Sequence, residues 1–116
     1  TKYLNIKLDI VLSYFYLFAA IAFEVLGTML LPVSKNFTKV IPSLIITLSY
    51  FISFYFASNA LKTLPLAIVY ASWSGLGVFT VAILSYVFYN QTINWQIIIG
   101  LFLIVLGVSV INIYKT

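Results

Sequence analysis

The sequence predicts an all-α integral membrane protein with four transmembrane helices that run alternately up and down through the bilayer. Three observations lead to this fold class: 64% of the 116 residues are hydrophobic, only 7% are charged, and the apolar residues form four long runs. A soluble domain of this size would carry about a quarter charged residues, because much of its surface faces water. We therefore expect one transmembrane domain over residues 1–116.

The four apolar runs cover residues 10–31, 40–61, 66–89 and 95–114. Each run can span the bilayer as a helix, since about 20 helical residues cross its hydrocarbon core. Backbone polar groups in lipid must be bonded within a helix or a closed barrel. Barrel strands alternate polar and apolar residues over about ten positions, and these runs do not. The short connections predict antiparallel neighbouring helices.

Prolines and one aromatic residue mark the ends of these runs in order along the chain. Pro32 is expected to stop the first helix, while Pro42 and Pro65 fall near the starts of the second and third runs. Proline is tolerated there because the first N–H groups of a helix have no partner within it. Trp95 opens the fourth run and is expected at the membrane–water interface.

The charged residues exclude several classes of function. Six lysines and two acids give a net charge of +4, but the lysines lie singly between the runs, whereas nucleic-acid binding requires a basic cluster. The chain has neither cysteine nor histidine, so no disulfide framework and no conventional metal site is expected. No phosphate-binding loop or nucleophile constellation is recognisable. We expect no cofactor, no enzymatic activity and no nucleic-acid partner.

The lysines are also nearly balanced between the two sides of the predicted bundle. Both termini and the second connection share one side, which carries four lysines against two on the other. This bias favours termini in the cytoplasm only slightly, so insertion in both orientations is compatible with it. The two sets are Lys2, Lys7, Lys62 and Lys115 on one side, and Lys35 and Lys39 on the other.

Glu24 is the only charged residue within the four runs, and it lies well inside the first. An acid at that depth costs free energy unless it is protonated, paired or hydrated, and intramembrane acids usually mark functional sites. Ala20, Gly27 and Thr28 share its helical face and leave room for another helix or a ligand. The sequence thus predicts a site that binds a proton or a cation. The alternative is a structural hydrogen bond between helices.

Aromatic residues share helical faces in the third and second runs. Tyr70, Trp73 and Ser74 lie at positions i, i+3 and i+4, so their rings and hydroxyl group point the same way. Such a face can hold an organic cation against aromatic rings, and ordinary packing explains it equally well. The second run carries a similar, weaker stripe, formed by Tyr50, Ser53, Phe54 and Ala57.

Glycines at a seven-residue spacing mark the fourth run. Gly100 and Gly107 lie on one helical face, and small residues at such spacing let membrane helices approach closely. We predict that this face forms an oligomer contact, with isolated packing glycines as the alternative. Asn112, near the end of this run, is expected at the interface.

Several of these residues form blocks that resemble one family. Residues 20–28 read Ala-Ile-Ala-Phe-Glu-Val-Leu-Gly-Thr, residues 70–77 read Tyr-Ala-Ser-Trp-Ser-Gly-Leu-Gly, and Gly107-Val108 and Ile111-Asn112 follow in order. The chain resembles the small multidrug resistance transporters from about residue 16 to residue 114. The resemblance implies a multi-pass protein of the bacterial inner membrane. It also implies an antiparallel homodimer, with oppositely inserted subunits, that exchanges protons for small lipophilic or quaternary ammonium cations.

The resemblance also implies roles for individual residues. Glu24 would be the shared proton and substrate site. The cation pocket would be lined by Tyr50, Tyr70 and Trp73, with small or polar walls formed by Ala20, Gly27, Thr28, Ser53 and Ser74. Gly100 and Gly107 would form the dimer contact.

The chain departs from the family pattern at a few positions. Lys35-Asn36 stands where the family usually has an acid followed by glycine, and asparagine tolerates the left-handed backbone that glycine offers. Gly27 stands where guanidinium-exporting members tend to carry tryptophan, which predicts a wider pocket for bulky aromatic cations. Guanidinium, polyamine or lipid-linked substrates remain alternatives, as does a structural membrane subunit that transports nothing.

Overall fold

The computed structural model describes residues 1–115, and within this range the chain forms helices and no strands. Four long helices and one single-turn helix follow each other along the chain. They are α1 (Lys2–Met29), α2 (Leu31–Ser34), α3 (Val40–Ala60), α4 (Leu66–Phe88) and α5 (Trp95–Ile113). The long helices are long and apolar enough to cross a membrane. The predicted fold class, an all-α membrane protein with four spans, is confirmed.

The boundaries of α1 differ from those of the first apolar run. This helix begins at Lys2 rather than at residue 10, and the Thr1 hydroxyl caps it by accepting a hydrogen bond of 3.2 Å from the Leu4 backbone N–H. It ends at Met29, and Pro32 does not stop the helical backbone, because it occupies the first turn of α2. A proline in a first turn removes no intrahelical hydrogen bond.

A left-handed turn connects α2 to α3. Lys35, Asn36 and Phe37 have φ angles of 47°, 62° and 63°, a conformation that residues other than glycine rarely adopt. Buried Ser34 stabilises the turn, because its hydroxyl donates to the Leu31 carbonyl at 2.8 Å and accepts from the Phe37 N–H at 3.1 Å. Asn36 therefore does adopt the backbone conformation expected for a residue in the glycine position.

The connection from α4 to α5 also depends on asparagines. Asn90 has a φ of 54° shortly after α4 ends, and asparagine tolerates this conformation better than most side chains. Asn94 caps α5, since its side-chain oxygen accepts a hydrogen bond of 2.9 Å from the Ile97 N–H. The chain thereby reverses direction within a few residues.

The helices pack around α1. The backbone of this helix lies close to those of both α3 and α4, whereas the backbone of α5 lies close to that of α4 alone among the helices described. Small and branched side chains form the core between α1, α3 and α4. These are Leu17, Ala20, Ile21, Val25, Ala57, Ala60, Leu64 and Val69. The candidate functional site lies beside these contacts, where α1, α3 and α4 meet.

Large apolar side chains cover the outside of the bundle. Phe51, Phe102 and Leu103, for example, are 70%, 63% and 62% exposed. Water-soluble proteins rarely expose apolar surface over so large an area. Serines instead occupy buried positions between the helices. Small residues at contacts and apolar residues outside are typical of helices that pack in lipid.

Candidate functional site

The Glu24 carboxyl is held by a chain of two hydroxyl groups. Thr28, one turn further along α1, donates a hydrogen bond of 2.9 Å from Oγ1 to Glu24 Oε1. The same Oγ1 lies 2.7 Å from the Tyr50 hydroxyl of α3. Because a threonine hydroxyl has one hydrogen, the Tyr50 hydroxyl must be the donor in this second bond. One carboxyl oxygen is thus fixed from two helices.

The other carboxyl oxygen has no partner within residues 1–115. Glu24 Oε2 is buried and accepts no hydrogen bond. It lies against α4 at Gly77, where an added Cβ would be only 2.6 Å from it. The close approach of carboxyl and backbone therefore requires a glycine at position 77. Buried polar atoms in proteins are nearly always bonded, so this oxygen is available to a proton or a ligand.

Aromatic rings from α3 and α4 stand beside this carboxyl. Phe54 and Trp73 meet edge to face with ring centroids 4.9 Å apart, and Tyr70 and Trp73 lie 6.4 Å apart at 65°. The Trp73 Nε1 is a second buried polar atom without a partner in the described chain. The rings and the acid border an open cavity of about 390 Å³, lined by Glu24, Tyr50, Phe54, Tyr70, Trp73, Ser74 and Val78.

This cavity brings together five of the residues that the sequence singled out. Glu24, Tyr50, Tyr70, Trp73 and Ser74 all line it. Thr28 is outside the lining but orients the Glu24 carboxyl from behind.

The remaining predicted wall residues lie elsewhere. Ala20, Gly27 and Ser53 are in the contact between α1 and α3, where the Ser53 hydroxyl donates a hydrogen bond of 2.6 Å to the Ala20 carbonyl. An added Cβ at Gly27 would be 3.4 Å from the Tyr50 ring. The space beside Gly27 is therefore filled by Tyr50, and this glycine does not widen the cavity in the way the sequence suggested.

Two lining residues, Phe54 and Val78, were not among the predicted site residues, although Phe54 belongs to the stripe recognised in the second run. Phe54 lies four residues after Tyr50, and Val78 lies four residues after Ser74, so helical periodicity does place both on the correct faces. Apolar residues occupy every face of α3 and α4, however, and periodicity alone does not single these two out.

A second polar cluster joins α1, α4 and α5. The side chain of Asn112 accepts a hydrogen bond of 2.8 Å from the Tyr14 hydroxyl and donates one of 2.9 Å to the Ser72 hydroxyl. Its amide also donates to the Val108 carbonyl at 2.9 Å, and the Lys115 ammonium lies 5.4 Å from the centre of the Tyr14 ring. The expectation that Asn112 is an interfacial residue is incomplete, because its side chain binds helices together inside the bundle.

The predicted contact glycines of α5 face away from the bundle. An added Cβ at Gly100 or Gly107 would meet no atom within 4 Å. Neither glycine serves the packing of α5 onto α4, where Gly75 makes the close contact instead. The outer face of α5 is thus free of contacts within residues 1–115.

The chemistry available at the cavity follows from these groups. A carboxyl with one free oxygen can bind a proton or a cation, and aromatic rings beside it attract organic cations most strongly where water is excluded. Residues 1–115 contain no cluster of three or more potential metal ligands. Binding of a proton or of an organic cation is what this arrangement can perform.

The fold and the site define a small four-helix membrane protein with a single acid inside the bilayer. Comparison with known proteins agrees with this class, because the model of the family described as Small Multidrug Resistance protein matches residues 12–104. The chain belongs to the small multidrug resistance family. It is a multi-pass membrane transport protein of the bacterial inner membrane.

Relatives cover nearly the whole chain. It is similar to the quaternary ammonium compound-resistance protein QacG of Staphylococcus sp. (strain ST94), with 44% identity over 103 residues, 89% of this chain and 96% of the relative. It is 41% identical to QacC of Staphylococcus aureus over 105 residues, 90% and 98% of the two chains. The multidrug transporter EmrE of Escherichia coli (strain K12) is 40% identical over 99 residues, 85% and 90% of the two chains.

Proposed function

We propose that this protein is a proton-coupled antiporter that exports lipophilic or quaternary ammonium cations, with Glu24 as the shared site for proton and substrate. The family membership and the names of the relatives support a drug efflux transporter. The observation that carries the finer proposal is the Glu24 carboxyl, which has one oxygen fixed by Thr28 and the other unpaired, beside an aromatic cavity.

Coupling follows from competition at one carboxyl. A proton and an organic cation both require Glu24, so the binding of either one displaces the other. The rings of Tyr70 and Trp73 contribute cation–π attraction, and the cavity of about 390 Å³ has the size of a small-molecule site. Tyr50 and Thr28 keep the carboxyl turned towards the cavity through their hydrogen bonds.

We propose further that two copies assemble as an antiparallel homodimer. A single copy leaves the cavity open on one side, where Phe54 and Tyr70 are 59% and 63% exposed. The outer face of α5, with Gly100 and Gly107, offers a surface for close helix approach. Two oppositely inserted copies in dissimilar conformations would give alternating access, as inverted repeats do in other transporters.

The central test measures protons released by a substrate. Addition of tetraphenylphosphonium to the purified, weakly buffered protein is expected to release protons, because the cation displaces them from Glu24. Glu24→Gln should abolish both this release and proton-driven uptake into reconstituted vesicles. Asp9→Asn removes the other acid of the chain and serves as the matched control, which should release protons like the wild type. Undiminished release from Glu24→Gln would refute the proposal.

A substitution in α5 tests the proposed homodimer separately. Gly107→Leu should block close approach at α5 and reduce the protein mass measured by light scattering in detergent from that of two copies towards one. Leu106→Ala changes an exposed neighbour on the same helix and should leave the dimer intact. A dimer that persists in Gly107→Leu would place the contact elsewhere.

Other substrates of the same family remain second candidates, namely guanidinium, polyamine and lipid-linked compounds. The aromatic lining favours bulky lipophilic cations over the small guanidinium ion and the strongly hydrated polyamines. A titration of the protein with ammonium, guanidinium and phosphonium ligands at two pH values separates them. A structural subunit that transports nothing would bind none of these ligands and would release no protons.

A further inference from the structure

A second polar cavity lies near one end of the bundle, between the first part of α1 and the end of α3. Its volume is about 260 Å³, and it shares no lining residue with the cavity at Glu24. Asp9 and Glu24 are both on α1, about 22 Å apart along the helix at 1.5 Å per residue. Its polar lining consists of Asp9, Ser13, Tyr16, Asn59, Lys62 and Thr63.

Two opposite charges face this cavity without neutralising each other. Asp9 is on α1, and Lys62 is in the connection that follows α3. Both residues are exposed, and among the hydrogen bonds and ion pairs of residues 1–115 none involves either side chain. A ligand that carries an ammonium and an anionic group can satisfy both charges at once, which a ligand of one charge cannot.

The wall between the two charges is ordered and polar. Thr63 donates a hydrogen bond of 2.6 Å to the hydroxyl of Ser13, whose side chain is only 3% exposed. The Asn59 amide nitrogen donates to the Tyr55 carbonyl at 3.1 Å, so its oxygen remains available as an acceptor. The Tyr16 ring stacks on Phe56 with centroids 5.9 Å apart, which fixes the ring beside the cavity.

The position of the cavity indicates a lipid as the source of such a ligand. The connection that carries Lys62 and Thr63 joins two membrane-spanning helices, so the cavity lies at the depth of the lipid headgroups. Leu12 completes the lining and is 49% exposed, which gives an acyl chain an apolar contact beside the polar groups.

We propose that this cavity binds the ammonium–phosphate zwitterion of an ethanolamine phospholipid. The ammonium would donate hydrogen bonds to the Asp9 carboxylate and the Asn59 oxygen, and the phosphate would pair with the Lys62 ammonium. A choline headgroup has no N–H to donate to these acceptors. An anionic headgroup without an amine would meet the Asp9 charge unfavourably. The segment that matches the family begins at residue 12, so Asp9 lies before it.

The experiment is a lipid titration of the purified full-length chain, followed by native mass spectrometry. Phosphatidylethanolamine, phosphatidylcholine and phosphatidylglycerol with identical acyl chains are compared. The wild type should bind phosphatidylethanolamine several-fold more tightly than either of the others, because both charged groups are exposed and water weakens their charge-assisted hydrogen bonds. Asp9→Asn and Lys62→Gln should each remove most of this preference.

Lys7→Gln is the matched control. It removes an exposed lysine from the same end of α1 that does not line the cavity, so the lipid preference should stay as in the wild type. Equal binding of the three lipids by the wild type, or equal preference in Asp9→Asn and Lys7→Gln, would overturn the proposal. Free phosphoethanolamine provides a further arm: if it binds as tightly as the lipid, the lipid assignment is wrong and the site takes a soluble zwitterion.

Lipid binding at this cavity and transport at Glu24 can be tested separately. Asp9→Asn should still release protons when tetraphenylphosphonium is added, because the Glu24 cavity is separate. Loss of lipid preference together with intact proton release is therefore the expected pair of results. A wild type that prefers phosphatidylethanolamine but releases no protons would leave this site standing and would contradict the transport proposal.

Discussion

Two polar clusters inside the same bundle are built in opposite ways. Around Asn112 the side-chain amide has its oxygen and its nitrogen bonded, to Tyr14, Ser72 and the Val108 carbonyl. Around Glu24 the Thr28 hydroxyl bonds only one carboxyl oxygen, and Glu24 Oε2 stays unpaired. A satisfied network rigidifies the contact between helices, whereas an unsatisfied group retains the capacity to bind something else.

The positions of the two clusters agree with this difference. The Asn112 cluster joins α5 to α4 and to α1, although the backbones of α1 and α5 do not approach each other closely. The Glu24 cluster borders a cavity of about 390 Å³. We therefore expect changes at the first to lower stability and changes at the second to lower ligand affinity. Three predictions test whether stability and binding separate in this way.

The largest difference between an effect on ligand affinity and an effect on stability is expected between Gly77 and Gly75 of α4. Gly77→Ala puts a Cβ 2.6 Å from Glu24 Oε2, so the flexible carboxyl has to move. Tetraphenylphosphonium should bind at least about tenfold more weakly, a loss of about 1.4 kcal/mol, with little change in stability. Isothermal titration calorimetry measures the affinity.

Gly75→Ala provides the matched comparison on the other face of α4. Its Cβ would lie 2.7 Å from Cγ2 of Val108 and 3.1 Å from Cγ2 of Ile104, where branched side chains of α5 resist displacement. We expect a loss of about 1–3 kcal/mol in the free energy of unfolding and a small change in affinity. If both alanine variants lose affinity equally, the two faces of α4 are not functionally distinct.

A smaller effect on stability is expected when the hydrogen bonds of the Asn112 cluster are removed. Asn112→Leu leaves the Tyr14 and Ser72 hydroxyls without their amide partner and should lower the free energy of unfolding by about 1–2 kcal/mol. Unfolding in sodium dodecyl sulfate, followed by circular dichroism, measures this change. Ser109→Ala removes a hydroxyl that bonds only within α5 and should stay within about 0.5 kcal/mol of the wild type.

The smallest effects distinguish two serines that the sequence had grouped together. Ser53→Ala removes a buried bond to the Ala20 carbonyl and should cost about 0.6 kcal/mol of stability, a typical value inside membranes, without changing affinity. Ser74→Ala, at the cavity, should instead weaken tetraphenylphosphonium binding by about two- to threefold. If Ser53→Ala were the variant with weakened binding, our separation of packing from lining residues would be wrong.

The fold class and the position of the buried acid could both be predicted from the amino-acid sequence. Four apolar runs of at least 20 residues leave helices as the solution, because backbone groups in lipid must bond within their own segment. Glu24 is the only charged residue within these runs. Because a charge in hydrocarbon costs so much free energy, a functional role for Glu24 can be predicted without a structure. The blocks around Glu24 and Trp73 were also sufficient to suggest the family that the comparisons then established.

The sequence did not reveal which face of each helix lines the cavity, which face packs against another helix and which face is turned to lipid. The tertiary structure assigned Ser53 and Gly27 to packing, added Phe54 to the cavity lining and brought Asn112 into a network between helices. The physical reason is that lipid and the interior of a membrane protein are equally apolar. Hydropathy therefore marks where a helix crosses the bilayer, while the direction in which each side chain points depends on how the helices pack.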